Sequence, residues 1–350
     1  MKKRVQKGIA AMLAAVMTVT ASGTVFAQAK QIVDQNRPAE PVSAAATPPA
    51  IEPETEPTIV GELEDRREAN VKQFLMSDGS ISAAVYGDPV HYEENGEWAE
   101  IDNSLSQQAA LDSEDVDGVS NQKNDFRVKF ANKGDSKKLV SLKKGTYKLS
   151  WKIMGASEVK LNKQQKAADK QEETDPTAVG NQSDGVTYEN LLPNVDVRYT
   201  VASKTVKEDI ILKNKEAGRE YQILFDLKKL SMKQNEDGSI DVTDPKEGNA
   251  VVFHLNAPYV YDAAGESTTK VDVTLTPQKK GTLLTLAIDE KWLSAPERKF
   301  PVTLDPAVET DPDAGTAITD VLMRSDQPNT AYPNEEDIRA GSYNPNEDGY

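Results

Sequence analysis

Alternation between apolar and polar positions governs most of the chain after residue 80. Phe126-Arg127-Val128-Lys129-Phe130 alternates strictly, the pattern of a strand with one buried face. Comparable runs occur at Ile81–Val85, Leu139–Leu142, Tyr147–Ile153, Val195–Val201, Asp209–Leu212, Tyr221–Leu227, Ile240–Val242, Val251–Leu255, Lys270–Leu275, Leu283–Ile288 and Phe300–Leu304. Asn95-Gly96 separates Val90-His91-Tyr92 from Glu97–Ile101, and both turn residues tolerate positive φ, so a β-hairpin is expected there. Two segments read as helical instead. Leu63, Val71, Phe74 and Leu75 share one face of a helix over residues 62–76 that Ser77-Asp78-Gly79 would stop, and a short turn falls at Glu290–Ala295 before Pro296. Many short strands with turn residues between them predict an all-β fold of antiparallel strands in sandwich-like or layered sheets, with one short N-terminal helix. The β-rich region spans residues 62–306. Its polar stretch at 160–185 is either a division between two β units or a long hairpin loop.

The beginning of the chain follows other rules. Lys2, Lys3, Arg4 and Lys7 precede an apolar run from Ile9 to Val19, and Val25-Phe26-Ala27 supplies small residues where a signal peptidase reads. Residues 1–27 are therefore expected to be a cleaved secretory signal, cut between Ala27 and Gln28, with a second choice after Ala29. A spanning helix needs about 20 apolar residues, so a retained anchor is the weaker reading and no later segment spans a membrane. Residues 28–61 carry Pro38, Pro41, Pro48, Pro49, Pro53 and Pro57 among Ala, Thr and Glu. Such a segment buries too little apolar surface to offset its ordering entropy, and a disordered linker is expected.

Charge and cysteine usage narrow the partners. The 350 residues carry a formal charge of −16, and loss of the leader removes four basic residues and no acidic ones. An acidic chain is repelled by nucleic acid and by anionic membranes, so neither is expected as a partner. The chain contains no cysteine, which excludes disulfides, thiolate metal sites and cysteine nucleophiles. A secreted or cell-surface location follows from the leader.

Catalytic chemistry finds little footing. The two histidines, His91 and His254, lie in separate strand-like runs, and no G-x-S-x-G frames a serine. Two histidines without cysteine make a poor zinc site, since zinc takes three or four protein ligands. A carboxylate pair serving a secreted glycosidase, or a His254 hydrolase, stands as the alternative. Asp115-Val116-Asp117-Gly118 and Asp311–Gly315 lack full calcium-loop spacing and read as turns. No catalytic residue, cofactor or metal ligand is expected, nor any enzymatic activity. Trp98, Trp151 and Tyr332 are the candidate aromatics for stacking on a sugar, with Trp292 and other tyrosines behind them, although strand aromatics more often serve a core.

Particular strings add a resemblance. Tyr188-Glu189-Asn190-Leu191-Leu192-Pro193-Asn194-Val195-Asp196-Val197-Arg198-Tyr199, followed by Val206-Lys207-Glu208-Asp209-Ile210-Ile211-Leu212, resembles the N-terminal β region of large secreted bacterial wall-associated proteins that carry DNRLRE domains and, often, RHS (YD) repeats. Ser77–Trp98 is similar to that region's opening and Phe300-Pro301-Val302-Thr303-Leu304-Asp305-Pro306 to its closing strand. Asp320–Met323, Asn329-Thr330-Ala331-Tyr332 and Ile338–Gly341 resemble the first strands of a DNRLRE β-sandwich, which would begin at 307 and be truncated at 350, with Pro333 replacing a usual glycine. The resemblance implies a non-catalytic surface module ahead of a repeat or toxin-type C-terminal region. It further implies cell-wall polysaccharide or another surface glycan, and downstream repeats, as partners, and because the strand-rich pattern breaks off at Tyr350 a truncated gene product, a fragment or an incomplete gene model is expected. A purely structural plug of a repeat shell is a further alternative.

Overall fold

A computed structural model describes residues 57–107, 117–163 and 176–310, with strand segments at 15–17, 322–324 and 327–332. The signal, most of the linker and most of the DNRLRE-like segment lie outside the described residues. The fold is all-β and antiparallel. It divides into two compact units, residues 57–100 with 176–180 and residues 101–163 with 181–310. The chain thus changes unit near residue 100 and returns briefly within the polar stretch 160–185.

In the smaller unit, Ile59–Glu62, Val71–Met76 and Ile81–Val85 form neighbouring strands. The helix expected over 62–76 is absent. Glu64–Arg66 makes one 3-10 turn, and Val71–Met76 is a strand. Residues 64–70 offer no apolar side chain beyond Ala69, so a helix would have buried only its ends. As a strand, the segment turns Lys72 and Phe74 inward. Ser77-Asp78-Gly79 is a hairpin turn, closed by Asp78 Oδ1 accepting from Ser80 N at 2.9 Å with Gly79 at φ 82°. Strand pairing also starts at Ile59, inside the segment read as linker. The Asn95-Gly96 hairpin forms as expected between His91–Glu94 and Glu97–Glu100, with φ values of 56° and 87° at the turn.

The larger unit packs two sheets over one core. The first runs Val271–Gln278, Gly281–Ile288, Glu220–Asp226, Tyr147–Ile153, Val140–Lys144, Phe126–Ala131 and Gly118–Ser120. The second centres on Ser183–Leu192, Val195–Ala202 and Thr205–Leu212, and continues through Val308–Glu309 to Ala250–Leu255 and Ile240–Asp244. Val302–Asp305 pairs with Thr205–Leu212 on one side and Tyr259–Asp262 on the other. Alternation supplies the core: Phe126, Val128 and Phe130 from the first sheet meet Val195, Val197 and Tyr199 from the second, all essentially buried. Gly281 turns Val271–Gln278 into Gly281–Ile288 at φ +102°, where a Cβ would lie 1.7 Å from the Phe225 carbonyl oxygen. Gly281→Ala is therefore expected to lose at least about 2 kcal/mol, combining backbone strain with displacement of the neighbouring strand. Urea unfolding measures it, and an unchanged midpoint would contradict this packing.

Candidate functional site

The strand Thr205–Leu212 carries the chain's densest polar chemistry. Val206, Glu208, Ile210 and Leu212 point inward by strand alternation, while Lys207 and Asp209 lie on the opposite face. Glu208 is only 2% exposed. Its Oε2 accepts the Trp151 indole N–H from the facing sheet at 2.9 Å. The Tyr199 hydroxyl is close enough to lower its pKa. Burial pushes the Glu208 carboxyl up to about 7, against the pull of Tyr199 and Trp151. Around it Phe130 stacks on Tyr199 at 5.3 Å, Phe225 lies 5.6 Å from Trp151, and Tyr188 donates to the Ala131 carbonyl at 2.5 Å.

An ion network occupies the other face. Arg198 Nε and Nη2 donate to Asp209 Oδ2 at 2.9 and 2.6 Å. Lys207 Nζ lies 3.2 Å from Asp209 Oδ1 and 2.9 Å from Asp305 Oδ2. Burial raises the Asp305 carboxyl above its ordinary range, while the Asp305 and Asp209 carboxylates hold the Lys207 ammonium above its own in spite of burial. Tyr259 and Tyr261 stack nearby at 5.7 Å. Three of the strings that carry the resemblance, Tyr188–Tyr199, Val206–Leu212 and Phe300–Pro306, therefore meet around one strand. The chemistry suits holding sheets together. Glu208 is sealed in the core, beyond reach of a sugar, and Asp209 and Asp305 share a lysine, so neither supplies the free carboxylate a glycosidase needs.

Both histidines have structural partners. His254 Nδ1 meets Asp241 Oδ1 at 2.7 Å across neighbouring strands. His91, in the smaller unit, is fully buried, with Nδ1 2.7 Å from the Glu68 carbonyl oxygen and Nε2 unpartnered. Burial keeps its pKa below the ordinary histidine value, and the nearby Arg67 and Lys72 charges push the same way. Glu62, His91 and Glu100 bring one donor atom each within 4.8 Å of one another, the strongest metal-like grouping among the described residues. Sequence reading missed it because the three residues are spread over 39 positions. Arg67 already binds Glu62 at 2.7 Å, and Lys72 Nζ lies between Glu62 and Glu100, so side-chain cations fill the role a metal would take.

Two of the candidate aromatics, Trp98 and Trp151, belong to different units. Trp151 is 2% exposed and bonded to Glu208, so it presents no ring to a ligand, contrary to expectation. Its place in the alternation Tyr147–Ile153 with Leu149 and Ile153 explains the burial. Trp98 stands 39% exposed on the Asn95-Gly96 hairpin of the smaller unit. Tyr332 lies on the strand Gln327–Tyr332, its side chain outside the described residues. Trp292 is covered by the Arg298 guanidinium, 3.5 Å from its ring centre. An open hollow of about 700 Å³ is lined by Lys228, Met232, Lys279 and Thr282 and holds none of these groups.

Comparison with known proteins places this arrangement. No protein-family model matches the chain, and no solved structure does. The tRNA nuclease WapA of Bacillus subtilis (strain 168) is 29% identical over 282 residues, covering 78% of this chain and 11% of its own length. The tRNA3(Ser)-specific nuclease WapA of Bacillus spizizenii is 28% identical over 286 residues, with the same 78% and 11% coverage. A wall-associated protein of Geobacillus stearothermophilus is 25% identical over 232 residues, 61% of this chain and 83% of that protein. The chain spans about a tenth of the length of the nuclease relatives it matches. The expectation that no enzymatic activity attaches to this protein is overturned, since these relatives are tRNA nucleases. That expectation came from a search for catalytic motifs within 350 residues, a small portion of what such proteins contain. The chain is thus similar to tRNA nucleases of Bacillus and, separately, to a wall-associated protein of Geobacillus stearothermophilus.

Proposed function

We propose that this chain exports and presents a wall-associated protein of the nuclease kind, and that its β region holds the polypeptide at the cell surface by binding a wall polymer. One observation carries the reading: a chain that opens with a leader of secretory form aligns over 78% of its length with a tRNA nuclease and over 61% with a protein named wall-associated. The tRNA-cleaving activity named for the relatives is proposed for the polypeptide as a whole. The larger unit supports the holding role through its single continuous core, reinforced by Glu208–Trp151 inside and the Arg198–Asp209–Lys207–Asp305 network outside.

Fractionation of cells producing the chain with its own leader tests the reading. The chain is expected in the wall fraction with Gln28 as its first residue. Recovery in the cytosol with residues 1–27 still attached would contradict it. Incubating the protein secreted from its own gene with total tRNA tests the activity, for which discrete cleavage products are expected and intact tRNA would count against it.

A further inference from the structure

The outer face of the larger unit's second sheet carries an aromatic pair beside the ion network. Along the strand Tyr259–Asp262, Val260 and Asp262 are buried, while alternation turns Tyr259 and Tyr261 to the other side. The neighbouring strand Val302–Asp305 sets Asp305 opposite Tyr259 and Thr303 opposite Tyr261. Its other neighbour, Thr205–Leu212, sets Ile211 opposite Thr303 and turns Lys207 and Asp209 to the same side. Asp209 in turn stands opposite Arg198 on Val195–Ala202. One face therefore runs from Arg198 through Asp209, Lys207 and Asp305 to the two tyrosines, across neighbouring strands and over about 14 Å at the usual strand spacing.

The two rings stack with centres 5.7 Å apart and planes at 27°. Tyr259 is 40% exposed, the most exposed aromatic among the described residues of the larger unit. A ring left in water forgoes the free energy that covering it would supply. The pair adjoins the ion network directly. Burial and the neighbouring Asp305 carboxylate push the Tyr259 hydroxyl up to about 12, and Tyr261 is close enough to help hold the Lys207 ammonium above its ordinary value. In the network the side chains of Asp209 and Asp305 are 2% and 4% exposed, whereas those of Arg198 and Lys207 are 38% and 36% exposed. The carboxylates thus lie beneath and orient the cations, whose N–H groups reach solvent. Two cations balance two carboxylates, so the face offers fixed donors without net charge. An aromatic surface beside such donors matches a sugar, which has an apolar ring face edged by oxygen acceptors. A phosphodiester chain would meet both carboxylates along with the cations and gain little net attraction.

We propose that Tyr259 and Tyr261 form a stacking surface for sugar rings of the wall glycan, with Arg198 and Lys207 donating hydrogen bonds to its hydroxyl and acetamido oxygens. The inference rests on the wall-holding function proposed above and names its face and ligand chemistry. The secretory leader and the relative named wall-associated select the glycan of the wall as the source of those sugars. An open sheet face accommodates a long polymer that a closed pocket would exclude. The aromatics singled out by sequence lie elsewhere, since Trp151 is sealed in the core and Trp98 belongs to the smaller unit.

The test uses the purified chain lacking residues 1–27, sedimented with intact walls and with walls stripped of phosphodiester polymer by acid. Stripping should leave the affinity unchanged, and added salt should alter it little, because no counterions are released from a polyanion. Tyr259→Ala should bind both preparations about 10-fold more weakly, the scale of one lost aromatic contact, with its unfolding midpoint near that of wild type. Tyr259→Trp and Trp98→Ala should bind as wild type. A second measurement needs no variant. Wall glycan solubilised by a muramidase should shield Tyr259 of the wild type from hydroxyl-radical oxidation, read by mass spectrometry against Trp98 of the same molecule. Equal oxidation of Tyr259 relative to Trp98 with and without glycan, or a well-folded Tyr259→Ala that binds as wild type, would overturn the proposal while leaving wall binding intact. Loss of binding on stripped walls would also overturn it, with the phosphodiester polymer as the ligand instead. Failure of the wild type to bind any wall would overturn both.

Discussion

Glu208→Gln is expected to remove a pH dependence of stability worth about 3 kcal/mol. In the fold the Glu208 carboxyl keeps its proton up to about pH 7, whereas the unfolded chain releases it near 4.5. Between those values the folded state binds more protons than the unfolded one, so stability falls as pH rises. At about 1.4 kcal/mol per unit of pKa difference, the full loss is somewhat over 3 kcal/mol and is complete above pH 7. Glutamine keeps an oxygen to accept the Trp151 indole N–H but carries no charge to bury, so the variant should match wild type near pH 4.5 and exceed it at pH 8. Glu208→Ala should instead lose stability at both pH values, because the indole donor is left unmet, at about 1–3 kcal/mol, beside a new cavity. Denaturant unfolding of wild type and both variants at pH 5 and pH 8 reads these differences. Parallel pH slopes for wild type and Glu208→Gln would show that the buried carboxyl is not the source.

The second large effect falls at the buried pair Asp262–Arg298. Arg298 Nη1 donates to Asp262 Oδ2 at 2.8 Å, with the two side chains 5% and 1% exposed. Asp262 also accepts backbone N–H groups of Ala264, Glu266 and Lys299, and together these lower its pKa although burial works to raise it. Asp262→Ala removes all four partners and leaves a buried guanidinium uncompensated, which costs about 3–5 kcal/mol. Replacing both residues, Asp262→Ala with Arg298→Met, should recover part of that loss because no lone charge remains. Urea titration of the single and double variants decides it, and a double variant as damaged as the single one would mean that the backbone N–H donors left unmet, not the charge, dominate.

Strand identity was legible because one buried face imposes a period of two, and Phe126–Phe130 shows it without interruption. The Asn95-Gly96 hairpin was legible because few residue pairs accept positive φ at both positions. Val71–Met76 was misread because Leu63 happened to fall in helical phase with Val71 and Phe74, and a short apolar run carries no period of its own. The polar centre was hidden for a different reason. Lys207-Glu208-Asp209 reads as solvated charge, yet alternation buries Glu208 against Trp151, 57 residues away, and Asp209 finds Arg198 on the adjoining strand. Only strand pairing reveals such partners. The acidity of −16 is a property of this chain alone, which spans about a tenth of the length of the nuclease relatives it matches.

Display at the wall is the property on which the proposed function turns. A reporter enzyme fused after Tyr350 of the whole chain, produced with residues 1–27 in place, measures it directly. Most of the reporter activity should be retained on washed, intact walls, while the same reporter behind the leader alone should pass into the medium. Equal release of the two reporters into the medium would contradict the wall-holding function.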